Sequence, residues 1–188
     1  MTPATILLVE DDMLILRTLA RGLRQAGYLI GEAESAEEAM QACAGSRPDL
    51  AVLDIHLPGL SGLELARWLS VHHVPFLFLT AYENPDFVRE AMQAGALGYL
   101  VKPLDVPRII PSLETALARA RDLARLRESE EKLVAALQNS REISTAVGVL
   151  MQKHDMSEEQ AFETLRAQAR SRRRKIAEAA REVLGHKS

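Results

Sequence analysis

Short apolar runs alternate with longer amphipathic stretches over the first 110 residues. The runs are Thr5-Ile6-Leu7-Leu8-Val9, Leu50-Ala51-Val52-Leu53, Phe76-Leu77-Phe78-Leu79 and Gly98-Tyr99-Leu100-Val101, with a weaker one at 28–30. Each is too short for a helix and is bounded by polar residues, Gly or Pro, so each reads as a buried parallel strand. Between them the period changes to that of a helix. Leu14, Leu16, Leu19, Leu23 and Ala26 form one stripe, stopped at Gly27. Ser35 with Glu38, and Ser61 with Glu64, have capping-box spacing and open two more helices. A fourth covers 85–94 and stops at Gly95. Five βα units predict a doubly wound α/β domain with right-handed crossovers.

The pattern changes after Pro111. No Gly or Pro occurs until Gly148, a stretch of 36 residues. Leu113, Leu117, Ala120 and Ala124 share one stripe, and Leu123, Leu126, Leu133 and Leu137 carry a neighbouring one. Charged residues fill the remaining positions, so a long helix is predicted, with a coiled-coil seam interrupted at Glu130. From about 140 three shorter helices are expected. The first carries Ile143, Ala146, Val147, Leu150 and Met151. The second is opened by Ser157 and Gln160 and turns Ala161, Phe162, Leu165 and Ala169 inward. The third carries Ile176, Ala180, Val183 and Leu184 and stops at Gly185. This divides the chain into 1–110, 111–138 and 139–188.

Composition narrows the class. Hydrophobic residues are 47% and charged residues 26%, a globular mix, and no apolar run is long enough to span a membrane. No signal-peptide pattern follows Met1, and Cys43 has no cysteine partner, so a cytoplasmic protein is expected. Charge is unevenly distributed. Residues 1–110 hold 8 Lys/Arg against 14 Asp/Glu, residues 111–188 hold 15 against 12, and residues 165–188 hold 8 against 2. The first part suits cation or phosphate chemistry, and the tail suits a polyanion.

Ligands of open parallel sheets sit at the carboxyl ends of the strands. The residues expected there are Glu10-Asp11-Asp12, Asp54, Thr80-Ala81 and Lys102-Pro103. Clustered carboxylates repel one another, and a hard divalent cation such as Mg²⁺ resolves the repulsion. Thr80 as donor and Lys102 as counter-charge suit a phosphoryl group. Asp54 is then the candidate nucleophile. Glu10 and Asp11, with Asp54 and the backbone carbonyl of His56, are the candidate metal ligands. Taken alone, Asp54 or Asp12 would by default cap the next helix, and Lys102 would be a solvated rim charge. His72-His73, adjacent near a helix end, reads as a solvated terminus.

In order along the chain, Ile6-Leu7-Leu8-Val9-Glu10-Asp11-Asp12, Asp49 to Asp54 with Leu57-Pro58-Gly59, Ser61-Gly62, Leu79-Thr80-Ala81 and Ala94-Gly95-Ala96 through Lys102-Pro103 resemble the receiver domain of two-component response regulators. The resemblance covers residues 4–110. It implies a flavodoxin-like (βα)5 fold, phosphorylation of Asp54 by a sensor histidine kinase, a cis Lys102–Pro103 bond, and Thr80 with Tyr99 as a coupled switch. The segment from Leu65 to Leu77 is a little short for the family.

The tail carries no glycine-rich phosphate loop, nucleophile motif or metal-ligand spacing, so a non-enzymatic output module is expected. Its cations Arg141, Lys153, Arg166, Arg170, Arg173, Arg174 and Lys175 are candidate nucleic-acid contacts. Residues 133–184 resemble the ANTAR output domain of transcription antiterminators. The matching positions include Arg141, Ile143, Ala146, Gly148, Leu150-Met151, Glu158, Ala161-Phe162 and Leu165-Arg166. Val147 stands where the family often has Lys, and Arg170 and Arg173 stand where it often has Met and Asn. The resemblance implies binding to RNA hairpins in leader transcripts and antitermination, with the long helix forming a homodimer. Phe162 is either a stacking platform for a loop base or part of the core. A DNA-binding regulator and a protein-interaction adaptor are the alternatives. The region around His154-Asp155-Met156 lacks the glycine common in helix-turn-helix turns.

Overall fold

A computed structural model describes residues 3–80, 85–103 and 105–185. The elements run β1 (Thr5–Val9), α1 (Met13–Gln25), β2 (Leu29–Ala33), α2 (Ala36–Gly45), β3 (Leu50–Asp54), α3 (Gly62–Val71), β4 (Phe76–Thr80), α4 (Pro85–Gln93), β5 (Tyr99–Val101), α5 (Val106–His154), α6 (Glu158–Ser171) and α7 (Ile176–Val183). The chain forms two compact units, Met1–Ala124 and Arg125–Ser188.

In the first unit the five strands pair in parallel in the order β2-β1-β3-β4-β5. The predicted runs are these strands, and β3 and β4 are buried along their whole length. Both faces of the sheet are covered, which is why these strands read as continuous apolar runs rather than as alternation. On one face Leu53, Phe76 and Phe78 pack with Leu65 and Leu69 of α3 and Ala39 of α2. On the other, Ile6, Leu8 and Val52 pack with Leu16, Leu19 and Leu23 of α1 and Leu113 and Leu117 of α5.

The helix starts follow the side chains that satisfy their free N–H groups. Asp12 caps α1, accepting from Leu14 and Ile15 N–H at 2.8 and 3.2 Å. Ser61 and Glu64 form the complete box at α3, and the Ser61 hydrogen bonds hold the Glu64 carboxyl below its usual range. At α2 the box is only half made. Ser35 accepts from Glu38 N–H, but the Glu38 carboxylate accepts from Glu34 N–H instead.

Two expectations about the second part are corrected. The long helix begins at Val106, with Pro111 inside it, and runs without a break to His154. The predicted break near 140 is absent; Gln138-Asn139-Ser140 contains neither Gly nor Pro. The first helix of the three-helix module is therefore the end of α5. Its Ala146, Val147 and Leu150 form the second unit's core with Ala161, Leu165 and Ala169 of α6 and Ala179 and Ala180 of α7. Phe162 is the second correction. Ala161, Leu165 and Ala169 recur every four residues and take the inward face, which leaves Phe162 40% exposed. The α5–α6 turn is closed by Asp155 at φ 50°, a left-handed conformation that Asp tolerates better than most residues.

Candidate phosphoacceptor site and output surface

Register builds the first site. β1 and β3 pair Val9 with Leu53, so the next residues, Glu10 and Asp54, emerge side by side at the strand ends. This is where the strand order reverses, β1 leading to β2 on one side and β3 on the other, and such a point opens a crevice. β4 places Thr80 at its end next to β3, and β5 delivers Lys102 immediately after Val101. The Lys102–Pro103 bond is cis.

The cluster is tight. Lys102 Nζ lies 2.6 Å from Asp54 Oδ2 and 2.6 Å from Glu10 Oε2. His56 N–H donates to Asp54 Oδ1 at 3.2 Å. Glu10 is 1% exposed, Asp54 6% and Thr80 2%, whereas Asp11 and His56 face solvent. Burial pushes the Glu10 carboxyl up; the Lys102 ammonium opposes this, and the Asp54 charge adds to it. Burial pulls Lys102 down, but its contacts with Asp54 and Glu10 outweigh that, and the ammonium is held above its ordinary value.

Carboxylate oxygens of Glu10, Asp11 and Asp54 lie within 4.8 Å of one another. Glu10 Oε2 is buried and accepts no well-aligned hydrogen bond; its 2.6 Å contact with Lys102 is ionic. An all-oxygen donor set of three converging carboxylates fits a hard cation of the Mg²⁺ kind. Asp12, the other acid of the run, is occupied as the α1 cap.

The structure thus brings Glu10, Asp11, Asp54 and Lys102 together, with Thr80 at the neighbouring strand end. Tyr99, at the start of β5, is 42% exposed. Ala81 lies outside the described residues. Gly62 is a residue whose role the sequence reading missed. A Cβ there would stand 2.1 Å from the Asp54 carbonyl oxygen and 2.8 Å from Ile55 Cα, and its N–H donates to the Ile55 carbonyl at 3.0 Å. Only glycine lets the start of α3 press against the backbone that carries Asp54. The Ser61-Gly62 pair was visible, but the contact it makes is a tertiary one.

In the second unit the basic residues have separate fates. Arg172 and Arg174 both pair with Glu182 of α7. Arg166 pairs with Glu163 at 3.0 Å. Arg181 Nε lies 2.8 Å from Glu142, and its Nη2 donates to Asn139 at 3.0 Å, which ties α7 to α5. Arg141, Lys153, Arg170, Arg173 and Lys175 are exposed. Arg173 holds the α6–α7 turn at φ 53°. The cationic tail read from the charge count is therefore partly neutralised by Glu182.

Residues 6–114 match the family described as response regulator receiver domain, and residues 131–184 match the ANTAR domain. The chain is a response regulator with an ANTAR output domain. The transcriptional regulatory protein PdtaR of Mycobacterium tuberculosis is 35% identical over 97% of this chain and 92% of its own. A putative response regulator from Chloroflexus aurantiacus superposes with a TM-score of 0.58 at 33% identity, over 62% of this chain and 98% of that one. Chemotaxis response regulator CheY4 of Vibrio cholerae does so with 0.58 at 28%, over 61% and 99%. Both structural matches span about the length of the receiver. Among the described residues no helix is long and apolar enough to cross a membrane.

Proposed function

We propose that this response regulator accepts a phosphoryl group on Asp54 from a sensor histidine kinase and in turn controls RNA-hairpin binding and transcription antitermination by its ANTAR domain. The observation that carries the first half is the buried Glu10–Lys102–Asp54 cluster at the sheet's switch point. An Asp54 carboxylate oxygen attacks phosphorus in line, the P–N bond to the donor imidazole breaks, and the imidazole nitrogen keeps the electron pair. Such a transfer demands positioning and charge neutralisation more than covalent assistance. Lys102 pairs with a phosphoryl oxygen, and the Thr80 hydroxyl donates to another. Glu10, Asp11, Asp54 and the His56 carbonyl would hold Mg²⁺, which neutralises charge on the transferring group when bound. Asp54 then bears the phosphate, Thr80 is drawn toward it, and the exposed Tyr99 ring turns inward.

In this reading residues 1–110 are the phosphoacceptor module, 111–138 the connecting helix and 139–188 the RNA-binding module, in a cytoplasmic protein. Arg141, Lys153, Arg170, Arg173 and Lys175 supply phosphate contacts; Arg166 and Arg174 are also candidates, although each is ion-paired. A homodimer forms along α5, where Leu126, Leu133 and Leu137 stand exposed at seam spacing. Phosphorylation favours that dimer, and two output modules then bind two hairpins with raised effective concentration.

Sedimentation and gel shifts with hairpin RNA and duplex DNA, with and without beryllofluoride and Mg²⁺, test the reading. Greater mass and tighter hairpin binding with beryllofluoride are expected. Unchanged mass and unchanged RNA affinity would overturn the coupling, and preference for duplex DNA would favour a DNA-binding regulator.

A further inference from the structure

Residues 170–175, at the end of α6 and in its connection to α7, hold five cations and no acid. The backbone there is fixed. Arg173 N–H donates to the Arg170 carbonyl at 3.1 Å, and Arg174 N–H donates to the Ala169 carbonyl at 2.9 Å. With Arg173 left-handed, this closes α6 in a Schellman turn and sets Arg172 and Arg174 on either side of that residue. Their guanidiniums converge on a single carboxylate. Arg172 Nη1 donates to Glu182 Oε2, and Arg174 Nη1 donates to Glu182 Oε1.

Stability gains little from this arrangement. The side chains of Arg172, Arg174 and Glu182 keep 61%, 52% and 40% of their surface exposed, and pairs so exposed are weak. Glu182 also lies in the last turn of α7, the end at which the helix dipole disfavours an acid. What the arrangement does supply is shape. Two guanidiniums stand one carboxylate apart, each facing its own oxygen. A phosphodiester carries two unesterified oxygens on one phosphorus, and guanidinium suits phosphate as it suits carboxylate.

We propose that Arg172 and Arg174 form a site for one backbone phosphate of the bound RNA, and that Glu182 fills this site in the free protein. Binding exchanges one oxyanion for another at both guanidiniums, and only the displaced carboxylate opposes it. Arg173 and Lys175, exposed on the same turn, add positive potential around the site. Glu182 lowers the grip of this turn on every polyanion alike, which leaves discrimination to the other contacts of the module.

The inference rests on the RNA-binding reading, and its test separates the two. The full-length protein with beryllofluoride and Mg²⁺ is titrated, over a range of salt, with the most tightly retained member of a fixed-stem, randomised-loop hairpin library. Glu182→Gln is expected to bind about three- to tenfold more tightly than wild type. Glu178→Gln removes the same charge from α7 at a residue with no ion pair among the described residues, and should gain less than about twofold. Replacing both arginines, Arg172→Gln with Arg174→Gln, should weaken binding and make the slope of log affinity against log salt shallower by about one. Adding Glu182→Gln to that pair should then gain nothing beyond the Glu178→Gln control. No gain in Glu182→Gln, a gain that Glu178→Gln matches, or a gain that survives loss of both arginines overturns the site. Should Glu182→Gln unfold the second unit, the arginine pair decides alone: a shallower slope upholds the site and an unchanged slope overturns it. A wild type that retains no member of the library overturns the RNA reading itself, and the site with it.

Discussion

The two units treat charge in opposite ways. The receiver unit gathers carboxylates and an ammonium at the carboxyl ends of the strands of a sheet covered on both faces, where Glu10 and Asp54 are almost fully buried. The output unit has more cations, but they lie on a small core, exposed or in solvent-facing pairs such as Arg172 and Arg174 with Glu182. Buried like charges are costly unless the protein uses them, so the first cluster points to one chemistry. Exposed pairs contribute little to stability and leave the partner open, so the second surface by itself points to no single chemistry.

Breaking either side should expose the contrast. Leu165, fully buried in the smaller core, should be the most damaging stability target. Leu165→Ala is expected to cost about 3 kcal/mol and to speed hydrogen exchange in α6 while β3 exchanges as before. Uniform acceleration in both units would show that the two cores are not separate. Gly62→Ala sharpens the other side. Its Cβ forces Asp54 and Ile55 to shift, so a loss of about 2 kcal/mol is expected, together with at least a tenfold drop in acetyl phosphate labelling. Normal labelling would mean that the α3 contact does not position the acceptor.

Lys102→Ala leaves Glu10 and Asp54 facing each other without their shared cation. A cost of about 1–3 kcal/mol is expected in a chelator, partly recovered on adding Mg²⁺. A melting temperature indifferent to Mg²⁺ in both proteins would contradict the acidic site. The smallest effect concerns the turn. Arg173 occupies a left-handed conformation that Gly adopts freely, so Arg173→Gly should stabilise the second unit by about 1 kcal/mol in a thermal melt. Destabilisation would show that the Arg173 side chain contributes contacts worth more than the backbone relief.

Legibility followed the same division. Strands packed on both faces announce themselves as apolar runs, and parallel register then places the residues after them. Glu10, Asp54 and Lys102 were therefore readable as one site before any coordinates. The Asp12 cap was readable only as an alternative, because cap and metal ligand use the same residue type at the same place. What escaped was tertiary. The absence of Gly and Pro at 138–140 left α5 free to continue, although three shorter helices were expected from about 140. Nothing in the spacing of Arg172, Arg174 and Glu182 announced that one carboxylate serves two guanidiniums. Gly62 and Gly148 are alike as letters; one is required by a backbone 2.1 Å from its missing Cβ, the other faces open space.

Mapping the phosphorylated residue decides the account most directly. After incubation with acetyl phosphate and Mg²⁺, borohydride trapping and mass spectrometry should find the modification on Asp54, and Asp54→Asn should carry none. Equal labelling of wild type and Asp54→Asn, or a modification mapped to any other residue, would contradict it.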